Sequence, residues 1–240
     1  MLKRSSFMTA AAALLVMVAG IGVIPIRSAW AAKPATYDLV YLEVSPQAVG
    51  KTILLLRQEA KSALQGHGNL GFLVLQRHPY TNQFVLVGQW TDNASFLAYQ
   101  QAPSTKQFRA ALSPLMIAPY DERPNIDFLS NPARAQAVMS VAPANTLFVL
   151  THIDIAPEVK PKGVHAITAL FEQSQVLPGN YVFNVLNQSS HSNHFTLFEA
   201  WANQADFTAY KEQGFVRRFR ESLMPIMGSI YEERIYQEIN

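Results

Sequence analysis

The sequence predicts an α+β fold made of two tandem ferredoxin-like units, each β-α-β-β-α-β, paired about a pseudo-twofold axis within one chain. Three observations carry this. First, the chain repeats itself at a spacing of 111 residues: "GNLGFLVL" at Gly68–Leu75 returns as "GNYVFNVL" at Gly179–Leu186, and "FRAALSPLM" from Phe108 returns as "FRESLMPIM" from Phe219. The register holds without a gap from Leu39/Leu150 to Arg123/Arg234. A fixed period marks one unit used twice, and a period this long is of domain rather than solenoid size. Second, strand-like and helix-like periodicities alternate inside each copy in the split βαβ order. Third, such a unit carries helices on one sheet face only, so the other face needs a cover, and the twin unit is the nearest candidate.

The elements follow in order. "YDLVYLEV" from Tyr37 is rich in strand formers. Ser45 then stands as N-cap with Pro46 at the first helical position, Ile53, Leu56, Ala60 and Leu64 recur at helical spacing, and Gly66 ends the helix. "LGFLVLQRH" and "QFVLVGQW" form a hairpin around "PYTN". A second helix opens at Asp92 or Asn93, is interrupted by Pro103, and resumes in "STKQFRAALSPLM". "APYDERPNIDF" is a last strand that Pro124 marks as an edge. The second unit repeats this plan, so that the units span residues 37–128 and 146–240. The linker between them, 129–145, has no strong period.

Residues 1–31 read as an export signal: Lys3 and Arg4, an apolar run broken by Pro25, and small residues at Ala29 and Ala31. An exported, periplasmic or secreted protein is expected, with no stable membrane insertion once the signal is removed. Cleavage after Ala31 takes away Lys3, Arg4 and Arg27 and no acid, so the net charge moves from +2 to −1. That balance gives no support for nucleic-acid binding. The chain has no cysteine, so its stability must come from packing rather than disulfides.

With these residues placed, each unit resembles the antibiotic biosynthesis monooxygenase (ABM) family of dimeric α+β barrels, which includes quinol monooxygenases and haem-degrading enzymes. The resemblance lies in "FEAWANQADFTAYKEQGFVRRF" and "GQWTDNASFLAYQQAPSTKQF", where an acid, a Trp, an aromatic and an aromatic-basic helix follow in the family's layout. It implies a pseudo-twofold barrel closed within the chain, and hence a monomer. Two departures stand out. The family's helix histidine is Tyr99 in one unit and Tyr210 in the other, and the further histidine of the haem-degrading branch is Leu112 or Leu223. Haem cleavage is therefore disfavoured, and no cofactor is expected.

The resemblance places a pocket against Trp90, Phe96 and Tyr99 in the first unit, and against Glu199, Trp201, Phe207, Tyr210 and Arg220 in the second. The alternative is that the tryptophans and tyrosines simply pack a strand-to-helix corner. On the first strands Tyr41 pairs with His152, whose titration range suits a general base. Glu199 corresponds to Gly88 and His152 to Tyr41, so the second unit is expected to hold the ionisable groups. His191 and His194 lack a nearby carboxylate in sequence, and no metal is expected there. Phosphate-loop, nucleophile-elbow and metalloprotease motifs are missing.

Two functions follow. One is cofactor-independent oxidation of a small aromatic or quinol-type substrate, with His152 or Tyr210 handling the proton and Trp201 and Phe207 as walls. The other is a non-catalytic module that binds an apolar small molecule or a protein partner. A pocket holding His152 and Tyr210 together would favour the first, and apolar filling of both pockets the second.

Overall fold

The computed structural model describes residues 34–239; the stretch read as an export signal lies outside the described residues. Eight strands appear in chain order: β1 (Thr36–Glu43), β2 (Asn69–His78), β3 (Gln83–Trp90), β4 (Asp121–Leu129), β5 (Leu147–Asp154), β6 (Asn180–Gln188), β7 (His194–Trp201) and β8 (Glu233–Glu238). Long helices α1 (Val49–Ala63) and α5 (Lys160–Ser174) follow the first strand of each unit. The pairs α2 (Asn93–Gln101) with α3 (Pro103–Leu112), and α6 (Gln204–Lys211) with α7 (Gly214–Leu223), follow the third. Asp92 caps α2 by accepting the Ser95 N–H at 2.9 Å, and Asn203 caps α6 by accepting the Asp206 N–H at 3.0 Å. Ser45 does not cap α1; its hydroxyl bonds Gln47 and a short turn over Pro46–Ala48 precedes the helix.

The strands close into one barrel in the order β1-β3-β2-β8-β5-β7-β6-β4. Each unit keeps its own four-stranded sheet. The joints are the antiparallel pairs β4–β6 and β2–β8, one on each side. Strand alternation then sorts side chains to two faces. Tyr37, Leu39, Leu73, Val87, Phe148 and Phe198 fill the barrel interior. Val40, Leu42 and Trp90 face the helices of the first unit, and Val149, Ile153 and Trp201 face those of the second.

One further expectation is corrected. Pro124 does not mark an edge, because β4 is paired on both sides, with β1 and β6. The Pro124 carbonyl accepts the Ser189 N–H, so its missing N–H points to the same side, just past the last ladder pair Asn125–Gln188. The proline therefore costs no ladder bond. The linker, which has no strong period, does hold structure. It contains α4 (Pro132–Ser140), capped by Asn131 and burying Ala135, Val138 and Met139. These side chains join the barrel-interior cluster. α4 packs against the starts of β2 and β6, and a Cβ on Gly71 would lie 2.5 Å from the Met139 Cβ. The linker helix thus covers one end of the barrel.

Because the joints use strand edges, the fragment Ala32–Asn131 alone would expose β2 and β4 as open edges. It is expected to self-associate in sedimentation experiments while the full chain stays monomeric. A stable monomeric fragment would show that edge closure is dispensable.

Candidate functional site

The second unit gathers its predicted aromatic and acidic residues between sheet and helices. Trp201 Nε1 donates to Glu199 Oε2 at 2.9 Å. Tyr210 stacks on Trp201 with ring centroids 4.7 Å apart, and Phe207 lies beside both. Arg220 on α7 pairs with Glu233 on β8, tying helix to strand. Burial pushes the Glu199 carboxyl up to about 8 and the Tyr210 hydroxyl well above its ordinary range. The enclosure is complete: Glu199 is 1% exposed, Trp201 0%, Phe207 0% and Tyr210 2%. These residues occupy the space that the family resemblance gave to a ligand.

The first unit is built alike. Tyr99 packs on Trp90 at 4.9 Å, Phe96 at 5.3 Å, and Arg109 pairs with Glu122. It is not the poorer half in ionisable groups. Asp38 is buried on β1, its carboxyl raised by burial and by Glu122. The Tyr99 hydroxyl donates to Glu59 at 2.8 Å. Asp38 pairs across the ladder with Gly88, and Val149 with Glu199, at the same rung of the two sheets. Each unit therefore holds one acid at that rung, on opposite strands. Comparing position with position 111 residues on misses this, because the substitute sits on the neighbouring strand.

Gly88 is where the indole of Trp90 lies: a Cβ there would come 2.1 Å from Trp90 Cη2. Gly88→Ala is expected to lower stability by about 1–3 kcal/mol through overpacking. Urea titration measures it, and a loss below about 0.5 kcal/mol would show that Trp90 is free to move.

His152 lies elsewhere. It alternates with Phe148 and Leu150 on the barrel face of β5, whereas Tyr210 packs with Val149 on the helix face. The structure does not bring His152 and Tyr210 together. His152 stands at the barrel end away from α4, where β1, β2, β5 and β6 finish. There the Tyr41 ring is met by the Arg123 and Arg234 guanidiniums at 5.0 and 5.9 Å. Arg123 is charge-paired with Asp121, and Arg234 with Glu232.

Two clefts open at this mouth. One, of about 520 Å³, is lined by Tyr41, Arg77, Tyr120, Asp121, Arg234 and Tyr236. The other, of about 490 Å³, is lined by Tyr41, Arg123, His152, Ile230, Tyr231 and Arg234. They are pseudo-symmetric: 118–121 borders the first and 229–232 the second. His152 Nε2 stands 2.7 Å from Asp154 Oδ1, and its Nδ1 lies 3.4 Å from the Thr196 hydroxyl. Burial lowers its proton affinity, Asp154 opposes that, and Arg123 adds to it.

Fold and clefts together define a fused α+β barrel, two half-barrels in one polypeptide with a polar, aromatic mouth. The chain belongs to the antibiotic biosynthesis monooxygenase family, whose pattern it matches twice, over residues 38–111 and 146–222. Solved structures agree on the fold. A provisionally assigned monooxygenase from Fusobacterium nucleatum superposes with a TM-score of 0.71 at 13% identity, covering 87% of this chain and 94% of that one. A second, from Lactobacillus acidophilus, gives 0.65 at 9% identity over 86% and 94%. An anthrone oxidase-like protein gives 0.63 at 12% identity over 87% and 92%. No curated protein matches the sequence.

Proposed function

We propose that the chain is an ABM-type monooxygenase that oxidises a small electron-rich phenol or quinol at the barrel mouth. One observation carries the reading: a single cleft joins an imidazole, two guanidiniums and aromatic walls. His152 accepts the phenolic proton. Arg123 and Arg234 hold the resulting anion, and Tyr41 and Tyr231 pack its ring. The phenolate passes one electron to dioxygen, and the radical pair joins to form a C–O bond. Loss of water from the hydroperoxide leaves a quinone. One oxygen atom enters the ring, the other departs as water with two substrate hydrogens, and no external reductant is consumed. The anthrone oxidase-like neighbour has a name that fits such a substrate, though its likeness here is in fold.

The filled helix-side interiors favour the second reading, a non-catalytic module, for the Glu199–Tyr210 region. An oxygen electrode run across quinols, naphthols and anthrones separates the two. Uptake with stoichiometric quinone supports the oxygenase. A ligand-induced rise in melting temperature without uptake supports the module. We further propose that the chain acts outside the cytoplasm after cleavage following Ala31. A mass for the exported protein that begins at Ala32 is expected; an intact Met1 end would refute it.

A further inference from the structure

We infer that His152, Asp154 and His194 form a binding site for one borderline divalent transition metal such as Zn²⁺ or Co²⁺. His152 and Asp154 are two apart on β5 and so share a face, and His194 on β7 is the register partner of Asp154. The sequence separates His194 from any carboxylate, and the ladder supplies one. The three donor atoms all lie within 4.8 Å of one another. Asp154 Oδ1 is 2.7 Å from His152 Nε2 and 3.2 Å from His194 Nδ1. Ligands held ~2.1 Å from one metal stand roughly 2.9–3.4 Å apart, so small side-chain shifts suffice to receive an ion.

Hydrogen bonding alone accounts poorly for this cluster. Asp154 Oδ1 is buried and accepts no aligned hydrogen bond, although two ring nitrogens crowd it. A buried oxygen left so is costly, and a cation resolves the cost. The rings meet edge to face at 76° with centroids 5.6 Å apart. Two imidazoles and one carboxylate suit zinc, cobalt, nickel, copper or ferrous iron better than calcium or magnesium. The hairpin that carries His194 is braced, since Asn187 Nδ2 donates to the His194 carbonyl at 2.8 Å. Arg123 and Arg234 are the opposing guanidiniums, and each is paired with an acid, Asp121 at 2.7 Å and Glu232 at 2.9 Å. All three side chains are about a quarter exposed, so an ion can enter.

The site is single. Its counterparts 111 residues earlier are Tyr41, Glu43 and Gln83, which leave one ligand where the second unit has three. Metal on His152 would occupy the imidazole proposed above as proton acceptor, so oxygen uptake is measured on the chelator-stripped protein, where that imidazole is free.

The test is a titration of chelator-stripped full-length protein with Co²⁺, read by its visible d–d absorption, and with Zn²⁺, read by calorimetry. One equivalent per chain is expected, with a Kd at or below about 10 μM. His194→Ala and Asp154→Asn should each weaken binding by at least about 100-fold. His191→Ala should weaken it by no more than about tenfold, because that imidazole stacks on His194 at 4.6 Å but supplies no donor atom to the triad. Metal-free melting curves establish that each variant is folded. Should one variant fail to fold, His152→Gln takes its place with the same expected loss. Binding weaker than millimolar, or unchanged in the folded His194 and Asp154 variants, overturns the site. Either result leaves the proposed oxidation to be judged by oxygen uptake alone.

Discussion

Oxygen uptake with the best phenolic substrate is expected to fall by about 10²–10⁴-fold when His152 is replaced by alanine, the usual cost of a lost general base. The fall should appear in kcat more than in KM. The imidazole moves a proton, while Tyr41, Arg123 and Arg234 supply the walls and the charge that retain substrate. Tyr210→Phe is the informative companion. Tyr210 is 2% exposed and lies on the helix face of the sheet, across the strand layer from His152. Its hydroxyl cannot reach a molecule at the barrel mouth, so uptake should change by less than about twofold. If Tyr210→Phe abolished uptake while His152→Ala spared it, the chemistry would have to be moved to the helix-side interior, with an opening motion to admit substrate.

The second large effect concerns stability. Glu199 is enclosed, and burial lifts its carboxyl from the ordinary 4.5 to about 8. The sign follows from proton binding. Between those two values the folded protein keeps a proton that the unfolded chain has released, so stability falls as pH rises through this window and levels off above it. The shift corresponds to about 3–5 kcal/mol when complete. Glu199→Gln keeps an acceptor for the Trp201 N–H and removes the ionisation. At pH 4 the variant and the parent should unfold alike. At pH 9 the variant should be the more stable by about 3–5 kcal/mol, about 6–20 °C in Tm for a chain of this size. Thermal or urea unfolding at the two values measures the difference, and only the change in difference between them is attributed to Glu199. A variant less stable than the parent at pH 9 would show that the carboxylate is held ionised, with Arg220 as its counter-charge.

Much of the fold was legible because it is written locally. The strand and helix periods, the helix break at Pro103, the cap at Asp92 and the repeat itself depend on neighbours in sequence. What escaped depends on neighbours across the sheet. Pro124 looks like an edge residue until β6 is placed beside it. α4 is short and alanine-containing, and its burial of Ala135, Val138 and Met139 makes sense only against a barrel end that no single unit possesses. The pairing of His152 with Tyr210 overlooked strand parity: Val149 faces the helices, so a residue three further on faces away. Asp38 and Asp154 were missed because their partners, Gly88 and His194, lie on the third strand of each unit, and only the ladder register joins them.

The helix that covers one barrel end has a consequence for symmetry. It touches the starts of β2 and β6, which are equivalent positions of the two halves, and so it straddles the axis that relates them. In an assembly of two identical chains, whatever lies on the axis must be duplicated or be twofold itself. A lone helix is neither. Joining the halves end to end therefore supplied the stopper as well as the tether, and left one barrel end covered while the other bears the clefts. With the symmetry already spent, each half was free to change alone, and a histidine pair could arise at one lip of the opening without its mirror image at the other.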